Sequence, residues 1–372
     1  MRKTIALCAA ALAATVLFGV YFGSKTCSGP LAATAQQEDQ PSTDLTQSAT
    51  PLQPAREKAP SLSTTEATSP PRTMLQRIVA EDTNVFKLST EQIQAFLARN
   101  RTNAESLLAA FNLNGDPELL REAARRYPSN AFVLVSVLGN DALPEQRREL
   151  LEEFKQVSPE NPLANYLSAR ENLKNQQPEL VLSELAAASA KNGFNDFTIE
   201  RVQGLEELYL SAGHSPAEAK ALAMLGVQEP SLPPLRDLAG SLSAWERQSA
   251  AQGDSASVQS IARSGLGLAA NIATAGTRSL ATQMLGESIE RDFLTALDPN
   301  GSYDFLPQPA GERLRQLKQN RQAVIGGIQF YNTWLTTANE TQLVSYFDRM
   351  RLYGEASALN WARAQAEQIL PR

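Results

Sequence analysis

Phe132-Val133-Leu134-Val135-Ser136-Val137-Leu138 is the stretch on which the fold class turns. Its β-branched and aromatic residues favour a strand by local propensity. A strand needs partners for its backbone N–H and C=O groups. The other stretches with strand character, Asn84 to Leu88 and Ala323 to Phe330, are weak. On either side of it the chain carries helix punctuation. The run is therefore read as the buried first helix of a helix pair, and the chain as all-α.

Working outward, the starts of neighbouring helices are marked by proline behind a polar or turn residue. Asp116-Pro117-Glu118 opens one, with Leu119, Leu120, Ala123 and Tyr127 on one face. Leu143-Pro144-Glu145 opens the next, striped by Leu150, Leu151, Phe154 and Val157. Asn161-Pro162 precedes Leu163, Tyr166 and Leu167, and Gln177-Pro178-Glu179 precedes Val181, Leu185 and Ala188. Ser215-Pro216-Ala217-Glu218 has the form of a capping box. Proline suits the first helical position, where its missing N–H would have no partner. The i, i+3/i+4, i+7 stripes are those of amphipathic helices.

The spacing repeats. Pro144 and Pro178 are 34 residues apart, and Pro128 and Pro159 are 31 apart. Over residues 103–212 the chain resembles the tetratricopeptide-like helical repeats, in which a pair ends near a proline and an Asn often starts the next. Ala169 and Ala188 suit that family's small packing positions and Phe154 its large one, while the Trp-x-x-Leu-Gly start is absent. The resemblance implies stacked antiparallel helix pairs with a curved groove that binds an extended peptide or a partner helix.

From Leu232 onward longer helices are expected: Leu235 to Gln252, Ser255 to Ala275, Thr277 to Leu297, Glu312 to Trp334, Glu340 to Tyr353 and Glu355 to Leu370. The organisation expected is an N-terminal segment (1–27), a tether (28–73), a repeat region (74–230) and a C-terminal all-α region (231–372).

Arg2 and Lys3 precede an uncharged apolar run from Ile5 to Phe22, the pattern of an export signal or signal-anchor with the remainder outside the cytoplasm. Retention as a membrane anchor is the first reading. Cleavage after Ala33-Thr34-Ala35 is the second. Lipidation at Cys27 is the third, although Ser24, Lys25 and Thr26 fit a lipobox poorly. Residues 28–73 are rich in Pro, Ser, Thr and Gln, with no aromatic between Phe22 and Phe86. Such composition buries too little apolar surface to order a chain, so a tether spanning on the order of 40 Å is expected. The expected location is the bacterial cell envelope, inner-membrane anchored with the body on the periplasmic side, or secreted if the signal is cleaved.

Composition narrows the function. Hydrophobic residues are 42% and charged residues 20%, enough for a core. The net charge of −6 gives no positive field for nucleic acid. With two cysteines, neither beyond residue 27, and one histidine, a Cys/His metal centre, a disulfide framework and a cysteine nucleophile are unfavoured. No cofactor is expected.

Four motifs invite chemistry. His214, in Gly213-His214-Ser215-Pro216, is the only base for a Ser-His-Asp triad, but no G-x-S-x-G elbow exists and the residue reads as a turn histidine. Gly265-Leu266-Gly267-Leu268-Ala269-Ala270 matches G-x-G-x-x-A, yet it falls inside a helical run rather than after a strand; Gly265, Gly267, Ala269 and Ala270 are read as permitting close helix approach. Asp298-Pro299-Asn300-Gly301-Ser302-Tyr303-Asp304 starts like a calcium loop, but Tyr303 and Pro309 hold the Gly and Glu positions. Gly286-Glu287-Ser288-Ile289 resembles the catalytic Glu-Ser step of lytic transglycosylases, which implies Glu287 as general acid. That family's Gly-Leu-Met-Gln and Ala-Tyr-Asn motifs are absent. Arg313, Arg315, Lys318 and Arg321 form a basic cluster on one helix, read as solvated surface. The aromatics Tyr331, Trp334, Tyr346, Phe347, Tyr353 and Trp361 are expected mostly in the core.

The expected function is thus a tethered, non-catalytic scaffold with a protein or peptide partner in the envelope. The alternatives are a cell-wall-active enzyme using Glu287, and a passive spacer.

Overall fold

A computed structural model describes Met74, Arg77, residues 82–276 and residues 278–369. The expectations for the apolar run, Cys27 and the tether lie outside the described residues. Among the described residues every regular element is helical, with fifteen α-helices and two short 3-10 turns, so the fold is all-α. No helix among them is long and apolar enough to cross a membrane.

The decisive stretch is helical, as α4 (Ala131–Gly139). Asn130 starts it by accepting the Val133 N–H on its side chain at 3.1 Å. Every residue from Phe132 to Leu138 is buried. Phe132, Val133 and Val137 face a core shared with α1 (Thr90–Arg99), α2 (Ala104–Asn114) and α3 (Pro117–Arg126). Leu134, Val135 and Leu138 face a second core formed with α5 (Arg147–Val157), α6 (Leu163–Lys174) and α7 (Pro178–Ser189). A helix wedged between two cores is apolar on all sides, which is why its sequence lacks amphipathic spacing.

The proline starts behave as read. Asp116 caps α3, and Pro178 heads α7, whose buried stripe is Val181, Leu185 and Ala188. Ser215 and Glu218 form a capping box on α9 (Pro216–Gly226). Pro144 begins a 3-10 turn, Pro144–Gln146, and α5 follows it directly. Other helices start without a proline, among them α1, α2 and α8 (Thr198–Ser211).

The longer helices are α10 (Leu232–Ala251), α11 (Ser255–Ala273), α12 (Leu280–Leu294), α13 (Ala310–Thr337), α14 (Glu340–Tyr353) and α15 (Glu355–Ile369). Helix α10 starts earlier than expected because Pro233 and Pro234 fall in its first turn, where their missing N–H groups cost nothing. Helix α12 starts later, behind the Ser279 cap.

Most consecutive helices pack on one another, and helices distant in the chain also meet. Helix α8 packs on α2, α10 on α6 and α14 on α9. At these crossings Gly204 meets Ala109, with 3.2 Å from its Cβ position to the alanine Cβ, and Gly139 meets Pro230 at 3.0 Å. Phe197 stacks on Phe132 with centroids 5.8 Å apart, and Asn271 donates to the Tyr166 hydroxyl at 2.9 Å. Helices α2, α4 and α6 are each covered on one side, by α8, the segment at Pro230 and α10 respectively. The reason is the apolar coverage of those helices, since Leu163 to Ala169 on α6 are all buried. Two hydrophobic cores draw on both sides of residue 230. One joins Val202, Leu205, Tyr209 and Leu222 to Trp334, Tyr346, Phe347 and Leu359. The other joins Phe154, Leu167 and Leu185 to Leu238, Ile261 and Phe293.

Candidate functional site

The residues singled out from sequence lie apart. His214 sits 5.6 Å edge-on to Tyr209, with Nδ1 3.5 Å from Glu218. The adjacent Ser215 hydroxyl accepts the Glu218 N–H at 3.3 Å, so it serves the helix cap. Gly265 and Gly286 hold α11 and α12 together. A Cβ at Gly265 would lie 2.3 Å from the Phe293 ring, and one at Gly286 would lie 2.7 Å from both the Ala269 carbonyl oxygen and the Ala273 Cβ. Gly267 faces open space and Ala270 is exposed, so close approach explains only part of that motif.

In the 298–304 turn, Asp298 accepts the Asn300 N–H at 3.0 Å, and both Asp304 oxygens accept from Arg263 at 2.6 Å. No group of three His, Cys, Asp or Glu side chains among the described residues is arranged to hold a metal ion.

Glu287 is half-buried on α12 against α13, where Asn320 donates to its Oε1 at 3.2 Å. Burial raises its carboxyl above the ordinary carboxylate value, while Asn320 and Arg313 oppose that rise. One turn on, Glu290 grips Arg313 through two bonds of 2.6 and 2.9 Å. That pairing takes one member of the basic cluster, while Arg315 and Lys318 are exposed. Tyr331, Trp334, Tyr346 and Phe347 are core residues, whereas Tyr353 is exposed.

Two features emerge that no local pattern flagged. The first is a charged junction where four segments converge. Asp196 is fully buried and accepts the Thr198 N–H and hydroxyl at 3.1 and 2.8 Å. Arg201, also buried, donates to the Asp196 carbonyl at 3.3 Å and lies over the Phe132 ring, leaving Nε and Nη2 without partners. Glu355, at the start of α15, accepts the Leu280 N–H that opens α12 at 2.6 Å. Burial pushes the Glu355 carboxyl up to about 7. Glu229 also rises to about 7, through burial first and then the nearby Asp196, with Arg201 opposing. Burial favours holding the proton on Glu229 and Glu355. Asp196 and Arg201 are joined at the start of α8, and Glu355 ties the start of α12 to α15.

The second feature is an open groove of 590 Å³ between α8 and α14. Ile199, Gln203, Glu206, Glu207 and Leu210 line it from α8, and Arg351 and Leu352 from α14. Helix α8 has one apolar face in the core and two further apolar residues outside it. Val202, Leu205, Leu208 and Tyr209 point into the core, while Ile199 and Leu210 are 39% and 42% exposed. Leu352 and Tyr353 project beside the groove at 57% and 60% exposure. Lys220 of α9 fixes the walls by pairing with Glu206 on α8 and Asp348 on α14, each at 2.9 Å. The signal legible in sequence was the pair of further apolar residues on α8, Ile199 and Leu210. A smaller groove of 460 Å³ between α7 and α11 is lined largely by small and polar side chains, among them Ala186, Ser189, Ala256 and Ser260.

No family model, curated protein or solved structure matches this chain.

Proposed function

We propose that this chain is a tethered helical-repeat scaffold of the bacterial cell envelope that acts by binding protein, without a catalytic step. The observation that supports it is the α8–α14 face. Three large apolar side chains, Ile199, Leu210 and Leu352, stand exposed in one groove among charged residues, with the exposed Tyr353 next in the chain to Leu352. Large apolar side chains left exposed together are a feature of protein interaction sites. The basic start and apolar run at residues 2–22 support the envelope location.

Site-directed photocrosslinking in cells tests the reading. A crosslinker replacing Gln203, in the groove, should yield a discrete protein adduct. One replacing the exposed Lys318 should not. Absence of any adduct specific to position 203 would overturn the proposal.

A further inference from the structure

We infer that the α8–α14 face is self-complementary and that its occupant is a second copy of this chain. This rests on the preceding reading of the face as a docking surface and names its partner.

The face carries both halves of a fit. Leu352 and Tyr353 form a projecting apolar pair at the end of α14, held by the turn at Gly354, whose φ is +86°. Beside them lies the groove whose α8 wall carries Ile199 and Leu210 at its ends and Gln203, Glu206 and Glu207 between them. In a two-fold arrangement the same patch serves both subunits, so Leu352 and Tyr353 of each copy can meet Ile199 and Leu210 of the other, and each contact is made twice.

The rim charges obey the same logic. Glu206 and Asp348 are occupied by Lys220 within the chain. That leaves Glu207 on the α8 side, whose one partner among the described residues is the neutral Gln203 amide at 3.3 Å. On the α14 side stands Arg351, whose nearest acid is the already shared Asp348 at 3.9 Å. One free acid and one underused base flank the same groove. A partner of opposite sign would select a rim of one sign, whereas a two-fold axis sets Glu207 of each copy against Arg351 of the other and balances both.

Sedimentation velocity of the full-length chain in a fixed non-ionic detergent is the test. The wild type should show a concentration-dependent dimer. Glu207→Arg and Arg351→Glu should each weaken dimerisation about tenfold or more, because each homodimer then carries two like-charge contacts. An equimolar mixture of the two variants should recover the dimer, since both contacts in the mixed pair are attractive again. That recovery also separates this face from association through the apolar N-terminal run. Tyr353→Asp, an exposed change, should give a monomer with unaltered helical circular dichroism. A monomeric wild type, a dimer indifferent to all three changes, or a mixture that stays monomeric would overturn the inference. The crosslink from position 203 distinguishes the two levels. An adduct of twice the chain's mass supports the second copy. An adduct with another protein, beside a monomeric wild type, overturns the second copy and leaves the docking surface standing. No adduct removes both.

Discussion

Alanine placed at Gly265 and, separately, at Gly267 makes the same chemical change two residues apart on α11, with opposite expected signs. At Gly265 the new methyl would fall 2.3 Å from two atoms of the Phe293 ring, whereas ordinary contact begins at 3.4 Å. The ring is fully buried, so it has no open side to move into, and either it or the α11–α12 spacing must yield by about 1 Å. Overpacking of this kind costs ~1–3 kcal/mol, and the rigid surroundings place it toward the upper end. Replacing glycine in a helix interior returns about 1 kcal/mol, leaving a net loss near 2 kcal/mol. At Gly267 nothing lies within 4 Å of the added carbon. Only the helix gain remains there, about 0.5–1 kcal/mol of stabilisation. Urea unfolding of the full-length chain, followed by helical ellipticity, should place Gly265→Ala below wild type and Gly267→Ala above it. A Gly265→Ala chain as stable as Gly267→Ala would show that the helices do not approach as described.

Three further outcomes are expected. Glu246 is fully buried on α10 with neither carboxylate oxygen partnered, and burial pushes its carboxyl from 4.5 up to about 8. Because the folded state keeps the proton, wild-type stability should fall as pH rises from 4.5 through 8. Glu246→Gln removes that titration and should gain about 3 kcal/mol over wild type at neutral pH, a gain that vanishes in acid; equal pH slopes in denaturant titrations would contradict this. Asn161 donates to the Asn195 carbonyl at 2.7 Å and accepts the Leu163 and Asn195 N–H groups at 3.1 and 3.3 Å. Asn161→Ala strands buried backbone groups and should cost about 2–3 kcal/mol in the same assay, against a change under about 0.5 if the tie is unimportant. Glu287→Gln should not alter glycan release from purified peptidoglycan, and a loss relative to wild type would refute a non-catalytic chain.

Much of the helical framework is written in short stretches of residues. Asp116, Asn130, Asn161 and Ser215 each satisfy an N–H that opens a helix, and prolines at 117, 178 and 216 fill first-turn positions. These are contacts within a few residues, so spacing and residue type suffice to read them. The strand-like run at 132–138 reads as a helix because no convincing partner strand exists elsewhere in the sequence, and in the structure Asn130 caps it. The start of α8 has no such local mark, because it has neither a proline nor a side-chain cap and follows Phe197.

Other properties depend on residues far apart in the chain. Ala109 and Gly204 touch across an interval no helical period reports, and Glu229 and Glu355 acquire their raised proton affinity through burial by distant segments, with Asp196 adding to it at Glu229 while Arg201 and the Leu280 N–H oppose it. A charged residue on paper carries no mark of burial; the desolvation that perturbs it comes from neighbours the fold supplies. The same holds for the docking face. Residue order alone makes α8 a helix with apolar residues on two sides, but only packing assigns Val202 and Leu205 to the core and leaves Ile199 and Leu210 to solvent beside α14. Local hydrogen bonding made the elements, and non-directional apolar burial, free to choose among several apolar faces, chose which of them meet.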